Sequence, residues 1–381
     1  AMGGMVVAFI VILVRLPEGV SFVEAVSVAG KLGKLNAIDF SFDWENRYTF
    51  WSGVIGGLFL QLSYFGTDQS QVQRYLTGKS VAESRIALLF NGMVKVPMQF
   101  FILFVGAMVF VFYQFVQPPV FFNPIQTERI QSSDSGEQYA AIEARHAEVF
   151  AAHQAEARRL VQALRADDEP RVNAAAEALR RSHAEVARVR GEAIALMQAT
   201  DPKTDTNDTN YVFLTFVMRY LPVGLVGLVI AAVFAASMSS TSSELNALAS
   251  TTVVDLYKRL VRKDGSDAHM VLVSKLATVF WGIFAIGFAM VANRLGTLVE
   301  AVNILGSLFY GTILGIFLVG FYMKWVRGTA TFAAALVAEA IVIYCKLATP
   351  VAWLWYNVIG CVAVVVLAVM LQSVMRPRET A

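Results

Sequence analysis

Long apolar runs recur along this chain, and they restrict its fold more than any other feature. They lie around residues 49–66, 86–115, 212–250, 270–292, 296–323, 330–347 and 352–374, with a shorter one at 5–14. A helix crosses a bilayer with about 20 apolar residues, and its backbone bonds are satisfied within the segment. The chain therefore reads as an all-α polytopic membrane protein. Its 381 residues are 56% hydrophobic, which argues against a soluble globule. Cys345 and Cys361 both fall inside apolar runs, so neither a disulfide framework nor a cysteine metal site is indicated. The opening residues lack a basic region and a cleavage site, so no signal peptide is visible. They read as the tail of a span rather than the start of a protein.

Basic residues between the runs set an orientation. Arg74, Lys79 and Arg85 form one cluster, and Lys258, Arg259, Arg262 and Lys263 another. Lys324 with Arg327, and Arg376 with Arg378, complete the series. All fall on one side of successive spans, and the positive-inside rule makes that side cytoplasmic, with the C-terminus there too. The opposite side receives 16–48, 116–210, the Asn293-Arg294 turn and the Thr349-Pro350 turn.

Residues 116–210 interrupt the membrane pattern and divide the chain into spans 1–115, an insert, and spans 211–381. The insert leaves the membrane through Pro118, Pro119 and Pro124. Two helical stretches, about 137–166 and 170–199, flank a turn at Asp167-Asp168-Glu169-Pro170. Ile142, Val149, Phe150, Leu160, Val161 and Leu164 make one apolar stripe. Val172, Leu179, Val186, Ala193 and Met197 make the other. This spacing predicts an antiparallel helical hairpin projecting on the outer side. His146, His153 and His183 lie on its seam, with His153 and His183 at one height. They read either as a two-histidine metal or pH-sensitive layer or as polar seam residues. The segments 132–136 and 201–210 read as flexible connectors.

Within the runs, polar residues concentrate in a few places. Residues 231–257 (AAVFAASMSSTSSELNALASTTVVDLY) are long enough to span, yet carry many hydroxyls and Glu244. Polar groups at that depth are costly unless they face a partner, a cavity or an ion. On a helix Ala236, Ser239 and Ser240 share one face, which brings a backbone carbonyl and two hydroxyls together. Three neutral oxygens suit a small hard cation such as Na⁺. Close helix packing, with hydroxyls bonded back to their own helix, is the competing reading. A second cluster, Tyr64 to Arg74, includes Asp68, a candidate partner for Lys95 across a two-span hairpin; snorkelling of Lys95 is the alternative. Glu300, Asn303 and Ser307 form a third polar face, and Gly306, Gly311 and Gly315 permit close approach or a local break.

Three ordered motifs in this setting resemble the sodium/solute symporter family of sodium-coupled sugar, sialic-acid, proline, monocarboxylate and iodide carriers. They are TDQSQVQRYLTGKS at 67–80, AASMSSTSSELN at 235–246 continuing to VDLY at 254–257, and LGIFLVG at 314–320 followed by Lys324. The resemblance implies a partial five-plus-five inverted-repeat transporter fold with alternating access and an extracytoplasmic hairpin insert. It implies a sodium site at Ala236, Ser239 and Ser240, and a further sodium at Ser242 and Ser243. Solute contacts are implied at Asp68, Gln69, Ser70 and Asn303. It further implies that the chain starts partway along the fifth core helix, so that helices one to four of the same protein are missing.

The expected function is sodium-coupled uptake of a small polar organic solute across the plasma or inner membrane. The lipid bilayer, sodium and the solute are its partners. The alternative is a membrane sensor or assembly protein whose outer hairpin binds a partner. Deleting about 132–205 distinguishes them, since a symporter keeps its coupling and a sensor loses its output. No paired carboxylates, metal cluster, phosphate loop or nucleophile–base constellation points to an enzyme. The hairpin mixes both charge signs, which does not suit nucleic acid.

Overall fold

The computed structural model describes residues 2–36, 38–292 and 298–375. The Asn293-Arg294 turn, Arg376, Arg378 and the C-terminus lie outside the described residues. Every regular element among the described residues is helical. Six stretches are long and apolar enough to cross a membrane: Val81–Phe115, Val223–Val261, Asp267–Met290, Glu300–Tyr322, Gly328–Ala348 and Leu354–Val374. The chain is a multi-pass membrane protein. It divides into two compact units, Ala1–Ala37 with Gly92–Ser239, and Ile38–Asn91 with Ser240–Ala381.

The first unit contains α1 (Met2–Arg15) and α2 (Phe22–Lys31). It takes α5 (Val81–Phe115) from Gly92 onward and α10 (Val223–Thr251) as far as Ser239. Between them come α6 (Pro124–Gln131), α7 (Gly136–Arg165), α8 (Glu169–Thr200) and α9 (Thr209–Tyr220). The run at 212–250 is thus two helices rather than one, because Pro222 disfavours helical backbone at Leu221, which is extended (φ −82°, ψ 147°).

The hairpin helices form where the heptad-like spacing places them. Asp167 turns the chain with a φ of 52°, and the Asp168 side chain accepts from the Arg171 N–H at 3.2 Å to start α8. The hairpin does not stand free. Leu160 and Leu179 share one core with Ile12 of α1, Val28 of α2, Phe112 of α5 and Phe216 of α9. Each of these side chains is fully buried, and burying one stabilises by roughly 1.5–3 kcal/mol. Arg165 pairs with Glu24 at 2.8 Å, and Lys31 donates to Asn173 at 3.1 Å. These exposed polar contacts fix register more than they stabilise.

The segment at 201–210 is built rather than loose. Asp201, Asp205 and Asn207 each accept from the backbone N–H two residues on, at 3.0, 2.9 and 3.1 Å. Asp208 is buried, accepts from the Phe122 N–H at 2.7 Å and pairs with Arg190. It ties the start of α9 both to α8 and to the segment leaving α5.

The histidines sit on the hairpin seam. The rings of His153 and His183 are 5.7 Å apart, and His153 is buried. Its Nε2 lies 3.0 Å from Gln114 Oε1 and its Nδ1 lies 2.8 Å from Ser182 Oγ. Gln114 uses its amide nitrogen on Phe110 O, so its oxygen accepts and His153 Nε2 donates. Among the described residues no group of three or more His, Cys, Asp or Glu could hold a metal ion. Burial first, then the nearby His183, pushes the His153 pKa from 6.5 down to about 4.

The second unit contains α3 (Gly57–Thr67), α4 (Gln69–Leu76), α11 (Asp267–Ala292), α12 (Leu298–Tyr322), α13 (Gly328–Ala348) and α14 (Leu354–Val374). It also holds α5 to Asn91 and α10 from Ser240. The run at 49–66 begins with a π-helical turn, Ser52–Gly56, and its helix stops at Asp68. A longer π-helical stretch, Thr252–Val261, follows α10 and ends with Arg262 N–H donating to Tyr257 O at 3.0 Å.

The core of this unit is α12 against α14, with α13 alongside. Their backbones approach so closely that a Cβ on Gly315 would lie 2.7 Å from Val364 Cβ, and one on Gly360 2.9 Å from Thr312 N. Gly311 meets Asn357 in the same way. Of the two roles that Gly306, Gly311 and Gly315 allow, Gly311 and Gly315 therefore serve close approach, and α12 runs unbroken past them.

Two outcomes follow from this packing. Gly311→Leu should lower the thermal midpoint of the purified protein, at a cost of about 1–3 kcal/mol or more, whereas Gly320→Leu, where a Cβ meets nothing within 4 Å, should be near neutral. For His153, the unfolded chain takes up a proton below about pH 6.5 while the native state resists until about 4. Stability is therefore complete above that window and falls as pH drops through it, by roughly 2–3 kcal/mol. Melting curves at about pH 7.5 and about pH 4.5 should show this loss, and His153→Asn should flatten it.

Candidate functional site

α10 is an unbroken helix over Val223–Thr251, so Ala236, Ser239 and Ser240 lie on one face as their spacing requires. All three are exposed, as is Ser242, while Ser243 is half-buried and Glu244 exposed. The back-bonding reading is met elsewhere on this segment, where Thr252 Oγ1 donates to Leu248 O at 2.7 Å. Ser239 and Ser240 make no such bond among the described residues. Their hydroxyls and the Ala236 carbonyl are oxygen donors of the kind that hold a hard monovalent cation.

In the second unit, the chain breaks between α3 and α4 at Asp68, whose backbone is extended (φ −75°, ψ 119°). Its Oδ1 accepts from Ser70 N–H at 2.8 Å and Ser70 Oγ–H at 2.7 Å, which caps α4. Ser70 is fully buried, Gln69 is exposed, and Gln71 Nε2 donates to Ser70 Oγ at 3.3 Å. The Asp68 carboxylate thus accepts from Ser70, the residue next but one. The charges of Asp68 and Glu244 both reach Tyr64 of α3 and Tyr310 of α12.

The third polar face divides by role. Glu300 pairs with Arg47, and Ser307 accepts from Asn357 Nδ2 at 3.0 Å. Asn303, between them, is half-buried. Ser63 of α3 donates to Tyr310 O at 2.8 Å and so fastens α3 to α12. Sequence reasoning passed over Asn357 and Glu339. Asn357 is fully buried in α14, and one carboxylate oxygen of Glu339 is buried in α13. The signal was present, since each is a lone polar residue within an apolar run.

The model of the sodium:solute symporter family matches residues 190–338. The sodium/sialic acid symporter of Proteus mirabilis is 30% identical over 161 residues, which cover 42% of this chain and 32% of that protein. The human sodium/iodide cotransporter is 24% identical over 316 residues, 81% of this chain and 36% of that protein. The chain thus spans about a third of the length of the curated relatives it matches. A solved Na⁺-coupled sialic acid symporter, in a substrate-bound outward-open state, is similar at a TM-score of 0.64 and 21% identity. That likeness covers 99% of this chain and 60% of the other, and at such identity it bears on fold alone. Within residues 190–338 the chain is thus similar to the sodium:solute symporter family, and its relatives are named as sodium-coupled carriers.

Proposed function

We propose that this chain acts in a sodium-coupled secondary active symporter that takes up a small polar organic solute by alternating access. One observation carries the reading. The oxygens of Ala236, Ser239 and Ser240 share one face of an unbroken helix inside the family-matched segment, and among the described residues neither hydroxyl is spent on its own backbone. Sodium binds there through neutral oxygens, so it brings its full charge into the site and responds to the membrane potential. Each charge moved contributes about 2.3 kcal/mol per 100 mV. Ser242 and Ser243 continue the hydroxyl run and supply a second sodium position.

The solute is held by Asp68, Gln69 and Ser70 at the helix break and by Asn303 on α12. Breaks of this kind expose backbone groups to a solute path, which supports the assignment. Two relatives at 30% identity are sodium/sialic acid symporters, which makes sialic acid the first solute to test. The basic clusters place the C-terminus in the cytoplasm and the hairpin outside, in a plasma or inner membrane. An inverted repeat of five-plus-five helices is the architecture that such a cycle uses.

Sodium should raise the thermal midpoint of the protein in nanodiscs, and choline should not. The pair Ser239→Ala with Ser240→Ala should raise half-saturating Na⁺ roughly tenfold, equivalent to about 1.4 kcal/mol. An unchanged sodium dependence in that double variant would count against the site.

A further inference from the structure

The first unit carries an open-mouthed cavity of about 330 Å³ between the end of α5, the two hairpin helices and the start of α9. Its walls are largely aromatic and aliphatic, with Phe110, Phe122, Phe150 and Val186 among them. Three histidines, Tyr113, Gln114 and Arg190 add polar groups, and no carboxylate lines it. It uses none of the residues assigned above to sodium or solute.

Two of these polar groups stand out. Tyr113 and His146 are 7% and 1% exposed, and the Tyr113 hydroxyl and His146 Nδ1 have no hydrogen-bond partner among the described residues. Leaving such a group unsatisfied costs roughly 1–3 kcal/mol, so both favour a ligand that accepts or shares a proton. The other polar groups are engaged: His153 with Ser182 and Gln114, and Arg190 with Asp208. The Arg190 pair leaves further guanidinium N–H groups, and its carbon sits 5.8 Å from the Phe122 ring centre.

Two cations lie at the cavity wall, Arg190, which is paired with Asp208, and Lys34. Lys34 lies 4.5 Å from the centre of the Phe110 ring, a cavity wall. Burial lowers the pKa of His146 and of His183, and a nearby cation adds to each shift: Arg190 at His146, Lys34 at His183. Both imidazoles are therefore neutral at physiological pH, and each can donate or accept.

We infer that this cavity binds a small organic anion with an apolar body, of the class of a single-ring or short-chain carboxylate. Its apolar part lies among Phe110, Phe122 and Phe150, while its carboxylate accepts from Tyr113, His146 and Arg190. Bonds of this charge-assisted kind are about twice as strong as neutral ones. A cationic ligand would meet Arg190 and Lys34, while the carboxylate of Asp208 is already engaged by Arg190 and the Phe122 N–H. A neutral one would gain only the apolar contact. The volume is at the low end of the roughly 300–1,000 Å³ typical of small-molecule sites, which limits the occupant to about one ring.

The test uses the full chain in phosphatidylcholine nanodiscs, titrated calorimetrically with phenylacetate, phenylacetamide and phenethylammonium. Phenylacetate should bind at least tenfold more tightly than the amide, and the ammonium should not bind. Tyr113→Phe should weaken phenylacetate about fivefold to tenfold without lowering the thermal midpoint, because its hydroxyl bonds to nothing among the described residues. Val186→Phe, or Ala187→Leu if that variant fails to fold, should fill the cavity and abolish binding. Equal binding of all three probes would mark an apolar pocket for lipid or detergent and overturn the inference. So would absence of phenylacetate binding at millimolar concentration, or affinity unmoved by Tyr113→Phe and by the filling variant.

Discussion

Peptide groups in hydrocarbon have no water to bond with, and a helix is the element that lets one segment satisfy them alone. That demand dictates the helices of this chain, and it transfers selection to the side chains between them. Helices in lipid gain little from burying leucine against leucine, so close contact has to come from small residues and from polar groups that find each other. The α12–α14 contact uses both. Gly311, Gly315 and Gly360 let the backbones meet, and the buried Asn357 bridges to Ser307 at the same level. α3 is added through one further bond, from Ser63 to a carbonyl of α12.

The same logic separates structural polar groups from those left for function. Glu300 and Ser307 are taken up by Arg47 and Asn357. The hydroxyls of Ser239 and Ser240 have no such duty among the described residues. A polar residue in a membrane span needs a reason, and a partner within the fold is the commonest one. Outside the spans, the hairpin obeys ordinary water-soluble rules, with a leucine-lined seam and capped termini.

How much of this was legible in the sequence depended on whether the signal was local. Span positions followed from run length, and the hairpin from its two stripes, with ends within a residue of those observed (136–165 and 169–200 against 137–166 and 170–199). Pro222 and Asp68 were visible as breakers, yet apolar flanks concealed the first and a polar run the second. The partners of Asp208, Glu300 and Asn357 were not legible. Each lies 18 to 253 residues away in sequence, and such pairings are decided by packing rather than by spacing. The shared face of Ala236, Ser239 and Ser240 lies at the legible extreme, since their spacing along one unbroken helix decides it.

The wide-turn stretch after α10 has a consequence for how this segment is mapped. Over Thr252–Val261 each turn holds more residues than an α-helix, as the bond from Arg262 back to Tyr257 illustrates. Angular position therefore drifts from the α-helical wheel at every step. Side chains such as Asp255 and Tyr257 point in directions that extrapolation from Ser239 and Ser240 would misplace. A periodic scan of this region keeps its phase only if the stride lengthens at Thr252.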